Sequence, residues 1–275
     1  MIIWIASYPK SGNTWMRSLI SSYFFSSGED FNFDLLKKIP LFPSNKQFSP
    51  LINLNNLSKE PLKISDYWNA AQSRLNLNNK KNFLKTHNAC ASHNGNWFTN
   101  KDNTLAYIYL VRDPRAVVCS NAFHSNITLD QSVKDLMNDN LVAYNGEFKL
   151  VEMTGSWKTN YLSWKKKKDF KGIIIKYEDL LKDTTVEFKK VLVFLKNFID
   201  IDINEKKIEQ CVKNCKFENL EAMEKKYGFE EAVSKKFFNI GKKDSWRSKL
   251  NIQMINKIEK ELENEMKELG YLNRL

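Results

Sequence analysis

No apolar run in the chain approaches the roughly 18 residues that a membrane span requires, which excludes a transmembrane helix. Nor do the first twenty residues show a basic segment, a long apolar stretch and a small-residue cleavage site. Lys10, Asn13 and Arg17 interrupt the apolar pattern instead, and the expectation is a cytoplasmic protein. Cysteine is scarce: Cys90, Cys119, Cys211 and Cys215 are scattered, without a Cys-x-x-Cys pair, which argues against a disulfide framework. Cys211 and Cys215 lie four apart on an expected helix, but no nearby histidines complete a zinc pattern, so they read as two reduced thiols. No internal repeat and no linker divide the 275 residues, which form one domain, 1–275, with room for a full core. The chain carries a net charge of +11, which favours acidic ligands. The excess is spread out, however. The only dense block, Lys165-Lys166-Lys167-Lys168, reads as the solvated C-terminal end of a helix, where lysine suits the helix dipole.

What the chain does have stands at its start. Ile2 to Ala6 reads as a short buried strand, Pro9 and Gly12 break it, and an apolar-periodic helix begins at Trp15. A strand, a tight turn and a helix N-terminus make an anion site, because free backbone N–H groups and the positive end of the helix dipole converge there. Lys10 adds a charge, Ser11 and Thr14 add hydroxyls, and Asn13 and Thr14 suit a helix start. The order is not that of a Walker A loop, which needs two glycines and a terminal Lys-Ser/Thr pair.

Three more apolar strands follow, at 82–87, 105–111 and 172–177, separated by helical patterns at 114–123, 128–143 and 152–168. Later helices are expected at 184–197, 204–214, 217–226 and 251–269. Trp157, Tyr161 and Trp164 recur at helical spacing and read as core. Between 27 and 66, Pro40, Pro43, Pro50 and Pro61 exclude long regular structure, while the aromatic residues there exclude a solvated linker. Strands alternating with helices define an α/β domain with a central parallel sheet and helices on both faces. Ligands of such sheets sit beyond the carboxyl ends of the strands, where Lys10, His87, Arg112 and Tyr177 all fall. His87 is one of three histidines and closes a strand beside Lys85 and Thr86; an imidazole there suits proton abstraction. Arg112 can hold a phosphate in a bidentate contact, since Asp113 is able to cap the next helix unaided.

Tyr8-Pro9-Lys10-Ser11-Gly12-Asn13-Thr14-Trp15 resembles the phosphosulfate-binding loop of the sulfotransferases that use 3′-phosphoadenosine 5′-phosphosulfate (PAPS). The family's usual form is close to Tyr-Pro-Lys-Ser-Gly-Thr-Thr-Trp, and only Asn13 departs from it. Lys85-Thr86-His87 resembles the segment that carries the family's general base. Arg112-Asp113-Pro114-Arg115-x-Val117-x-x-Ser120 resembles its second signature, and Tyr177-Glu178-Asp179 its strand-ending Tyr-Glu-Asp. The C-terminal signature Arg-Lys-Gly-x-x-Gly-x-Trp, aligned on Gly241 and Trp246, has Asn239 and Ile240 in place of the basic pair and Asp244 in place of the second glycine.

The resemblance implies a P-loop-like three-layer domain and in-line transfer of a sulfuryl group to a hydroxyl, or an amine, of a small-molecule or glycan acceptor. His87 is then the base. Lys10 and the loop N–H groups, Ser11 to Trp15 included, hold the 5′-phosphosulfate, and Lys85 steadies the sulfuryl oxygens. Arg112, Ser120 and Gly241, with Lys242 or Lys243, hold the 3′-phosphate, and Trp15 and Tyr177 lie by the adenine. The product is 3′,5′-ADP, and no metal is required. Nucleic acid is not an expected partner, and a homodimer is left open. Residues 27–75, 88–103 and 121–150 are expected to shape the acceptor pocket; His93 and His124 could face the acceptor, with a surface or structural role the favoured reading for both. Two other readings are a nucleotide-dependent kinase, which would need a Mg²⁺ ligand set, and a basic non-enzymatic binding protein.

Overall fold

Every residue of Ile2–Ser7 is buried, as expected of a strand covered on both faces. This strand, β1, lies inside a four-stranded sheet with Asn82–Thr86 (β2), Thr104–Val111 (β3) and Lys171–Lys176 (β4). The order is β2-β1-β3-β4, and all three pairings are parallel. The computed structural model describes residues 1–27, 31–145, 148, 150–232, 236–238 and 245–272. Side chains of β1 alternate between two cores. Trp4 joins Phe42, Phe98 and Trp164 on one face, with helices Pro114–Ser125, Trp157–Lys165 and Ile252–Glu261 over them. Ile3 and Ile5 join Leu19, Phe188 and Ile208 on the other, under helices Asn13–Phe25 (α1), Thr184–Leu195 and Glu205–Asn214. The expected three layers, a parallel sheet with helices on both faces, are therefore present, and the carboxyl ends of β1, β2, β3 and β4 open onto one edge.

The structure corrects several boundaries. The segment 128–143 is not one helix: the helix Leu129–Leu136 ends, and Val142–Asn145 pairs antiparallel with Leu150–Met153. Asn138, Asp139 and Asn140 form the break, as short polar residues that hydrogen-bond their own backbone favour turns over helix. The next helix starts at Trp157, not near 152, because Gly155 turns with φ 65° and the Ser156 hydroxyl accepts the Thr159 N–H at 3.0 Å. Tyr177 opens the helix Tyr177–Lys182 instead of closing β4. The last helix is two pieces, Ile252–Glu261 and Glu263–Glu268, since Leu262 (φ −114°) leaves the helical region. Between 31 and 67 the chain makes short helical turns and a parallel bridge from Leu41 to Lys85 of β2, and Phe42 and Phe48 from it are fully buried. All four cysteines are free and buried.

Register gives one glycine a structural duty. Gly172 of β4 lies opposite Tyr107 of β3, and a Cβ on it would stand 2.0 Å from that ring. The ring cannot move freely, because the Tyr107 hydroxyl donates to the Trp164 carbonyl at 2.9 Å. Gly172→Ala is expected to lower stability by about 1–3 kcal/mol as an overpacked core site, read as a drop in the urea midpoint. An unchanged midpoint would show that the ring accommodates the methyl.

Candidate active site

The turn that leaves β1 is held in an unusual backbone. Lys10 and Gly12 have φ of 65° and 95°, both in the left-handed region. Gly12 is required twice over: an L side chain resists this φ, and a Cβ would come within 2.7 Å of the Tyr177 ring. Asn13 does not spend its amide on a ligand. Its Nδ2 donates to the Ile5 carbonyl at 2.9 Å and the Ser7 hydroxyl at 3.2 Å, which ties the turn back to β1 and leaves its backbone N–H as its means of meeting an anion. Gly12 caps α1 without a side-chain acceptor, and the first turn has no acidic residue. The N–H groups of that turn therefore have no side-chain acceptor at the cap, and the positive dipole end has no carboxylate of its own. Ser11 Oγ is buried without a hydrogen bond.

Cations surround this turn. Burial, helped by Lys85 and Arg112, pushes the Lys10 ammonium down to about 7, although Glu231 and Glu224 oppose the shift. Its Nζ lies 4.2 Å from the centre of the Phe237 ring. Arg112, just beyond β3, donates from NH1 to the Lys10 carbonyl at 3.1 Å and lies over the Tyr177 ring at 4.3 Å. Its Nε is buried and has no partner. Tyr177 meets Trp15 edge-on at 5.8 Å, and Trp15 is anchored by Nε1 donating to the Cys215 carbonyl at 2.9 Å.

His87 stands one residue past β2. Its Nδ1 is 2.9 Å from the Ser7 carbonyl, and since a carbonyl only accepts, Nδ1 carries the hydrogen. Nε2 therefore holds the lone pair. Glu152 Oε1 accepts the His87 N–H at 2.7 Å, and Asn160 Nδ2 donates to its carbonyl at 2.9 Å, so the residue is fixed on both sides. Burial, with Lys85, pushes the imidazole down to about 3 against the pull of the Ser7 carbonyl. The ring is therefore neutral at physiological pH, with the Nε2 lone pair free of a proton.

Lys10, Gly12, Asn13, Thr14 and Trp15 line a single cavity of about 920 Å³, together with Lys85, His87, Arg112, Ser120 and Tyr177. Ser11 does not reach its wall. Gly241, Lys242, Lys243, Asn239 and Ile240 lie outside the described residues. Sequence reasoning missed Glu231, Lys249 and Ser245 in the same wall, and for His124 it favoured a surface or structural role over one facing the acceptor. His124 in fact lines the cavity, edge-on to Phe237 at 5.6 Å, with a buried, unpartnered Nδ1. Burial, Lys10 and Lys85 push its imidazole down to about 4. Of the segments expected to shape the acceptor side, 121–150 contributes many wall residues, 27–75 contributes Leu41, and 88–103 contributes none among the described residues. Residues 31–46 instead wall a second cavity of about 1780 Å³ that meets the first at Leu41, Glu230 and Glu231. His93 sits in a two-stranded hairpin outside both cavities.

A parallel sheet whose strand ends bring together a lysine turn, a neutral histidine and a half-buried arginine is suited to hold an anionic ligand at those ends. The family model described as "Sulfotransferase domain" matches residues 2–270, and the chain belongs to that family. It is 24% identical over 273 residues to cytosolic sulfotransferase 12 of Arabidopsis thaliana, covering 97% of this chain and 77% of that protein. It is 23% identical over 222 residues to the amine sulfotransferase of Oryctolagus cuniculus, covering 79% of this chain but only 62% of that protein. The fold is similar to that of retinol dehydratase in complex with androsterone and the inactive cofactor PAP, with a TM-score of 0.62 at 20% identity over 97% of this chain and 80% of that one. Among the described residues no helix is long and apolar enough to cross a membrane.

Proposed function

We propose that the chain transfers a sulfuryl group from PAPS to a hydroxyl or amine of a small-molecule or glycan acceptor, in the cytoplasm. The observation that carries this reading is the convergence on one cavity of the uncapped N-terminus of α1, Lys10, Arg112 and a neutral His87. The buried, unpartnered Nε of Arg112 fits an anionic ligand, since a guanidinium donor left unsatisfied is costly. When bound, the donor supplies an electrophilic sulfur whose leaving part is 3′,5′-ADP. His87 Nε2 takes the proton of the attacking group, while the Ser7 carbonyl holds the ring in the tautomer that allows it. Lys10 and the first-turn N–H groups of α1 neutralise charge that grows on the bridging oxygen. Arg112 and Ser120 hold the 3′-phosphate. Ser245 and Lys249, on the same cavity wall, join them and stand in for the basic pair that Asn239 and Ile240 replace. Trp15 and Tyr177, in edge-on contact with each other, lie by the adenine. Fixed cations and a helix terminus supply the positive charge, so the proposed reaction calls on no metal ion.

The defining property is recognition of the 3′-phosphate. Titration calorimetry is expected to give 3′,5′-ADP an affinity at least about tenfold above that of AMP, the worth of a charge-assisted phosphate contact, with or without EDTA. Equal affinities would sink the donor assignment, and a Mg²⁺ requirement would favour a kinase.

A further inference from the structure

Glu231 reaches into the cavity from a turn after the helix Phe217–Tyr227 and satisfies groups that the fold holds out for an anion. Its Oε1 is 2.5 Å from Arg17 NH1, and its Oε2 is 2.9 Å from Lys85 Nζ and 3.4 Å from the Thr14 hydroxyl, which donates to it. Thr14 and Arg17 sit on the first two turns of α1, and Lys85 on the neighbouring strand β2. The three donors thus belong to the rigid frame, whereas the carboxylate arrives on an irregular turn. Arg17 is 3% exposed, and its other terminal nitrogen donates to the Leu36 and Ile39 carbonyls at 3.2 and 3.0 Å. Arg17 lines the second cavity, where Glu231 also stands, and its orientation is set without Glu231. Its Nε is buried and unpartnered, as in a guanidinium placed to hold more than it now holds. Burial alone would raise the Glu231 carboxyl, yet Lys85 and Arg17 outweigh it and hold it well below the usual carboxylate range. The carboxylate is thus ionised throughout the physiological range. By contrast, among the described residues neither Lys10 nor Arg112 pairs with a carboxylate.

We propose that Lys85 and Thr14 in the first cavity and Arg17 in the second form an oxyanion subsite where the two cavities meet, that Glu231 is its resident occupant, and that the donor's sulfuryl group displaces Glu231 to enter it. The inference rests on the PAPS reading above. A carboxylate and a sulfonate oxygen set are both negative acceptors of similar span, and two such groups cannot share three donors without strong repulsion. Glu231 then acts as an internal competitor that works selectively against the sulfated nucleotide. The product 3′,5′-ADP lacks the group that would enter the subsite.

The test compares PAPS and 3′,5′-ADP by titration calorimetry, without acceptor, on the wild type, Glu231→Gln and Glu231→Ala. Both variants are expected to raise the ratio of PAPS affinity to 3′,5′-ADP affinity by about tenfold or more, in line with removal of one like charge at close range. A ratio that stays the same, with both nucleotides still bound, overturns the inference and leaves the PAPS reading intact. A ratio that falls overturns it too and makes Glu231 a support for Lys85 instead. Wild-type protein that binds 3′,5′-ADP no better than AMP removes the PAPS reading and this inference together.

Discussion

His87→Asn is expected to lower kcat by about 10²–10⁴, the usual worth of a positioned general base, while 3′,5′-ADP affinity changes by less than about threefold. Asparagine suits the test because its Nδ2 can still donate to the Ser7 carbonyl, where His87 Nδ1 now lies at 2.9 Å. What it removes is Nε2, the only ring atom left to accept a proton. The Glu152 and Asn160 contacts use the His87 backbone and survive the change. A kcat within about threefold of wild type would take away the role of base. The pH profile gives a second reading. In the free protein burial, then Lys85, push the imidazole from 6.5 down to about 3, so the basic form persists well below neutral pH. Because kcat/KM reports free-enzyme groups, its acidic limb should lie well below 6.5 and should disappear in His87→Asn.

The positions of Lys10, His87 and Arg112 are legible because each lies just past the carboxyl end of a strand, and parallel strands put such residues on one edge. β1 and β3 were legible for a related reason: both are buried on two faces and read as unbroken apolar runs. The hairpin Val142–Asn145 and Leu150–Met153 was not, because four-residue strands with mixed polarity have no period that a helix lacks. The Arg17–Glu231 pair lies 214 residues apart and exists only through tertiary approach. In the sequence Arg17 merely interrupts an apolar helix, and Glu231 is one acid in a charged stretch. Asn13 looked like a ligand-loop substitution, yet its amide braces the loop against Ile5 and Ser7, a contact that depends on how tightly the turn folds back. Lys249 and His124 reach the cavity through the placement of separate helical segments, which local pattern does not specify.

Lys10→Met is expected to lower kcat by about 10²–10³, the scale of a lost preorganised charge at a developing oxyanion, and to weaken donor binding as well. Methionine keeps the length of the side chain and, like lysine, must accept a φ of 65°, so the backbone cost is shared and charge is the main difference. The Lys10 carbonyl that accepts from Arg112 is also retained. A pH arm separates charge from shape. In the free protein burial, then Lys85 and Arg112, lower Lys10 from 10.5 to about 7. A bound anion favours the protonated form and raises that value. Below about 7 the ammonium is already charged and binding needs no proton. As pH rises above 7, each binding event must recharge the amine. Affinity for 3′,5′-ADP should therefore fall by up to about tenfold per pH unit until the bound-state pKa is passed. Calorimetry in buffers of different ionisation enthalpy should detect net proton uptake on binding at pH 8, smaller by the Lys10 share in Lys10→Met. Wild-type affinity that stays flat from pH 6 to 9 would mean that Lys10 is charged throughout, and that the desolvation of this turn is relieved before the ligand arrives.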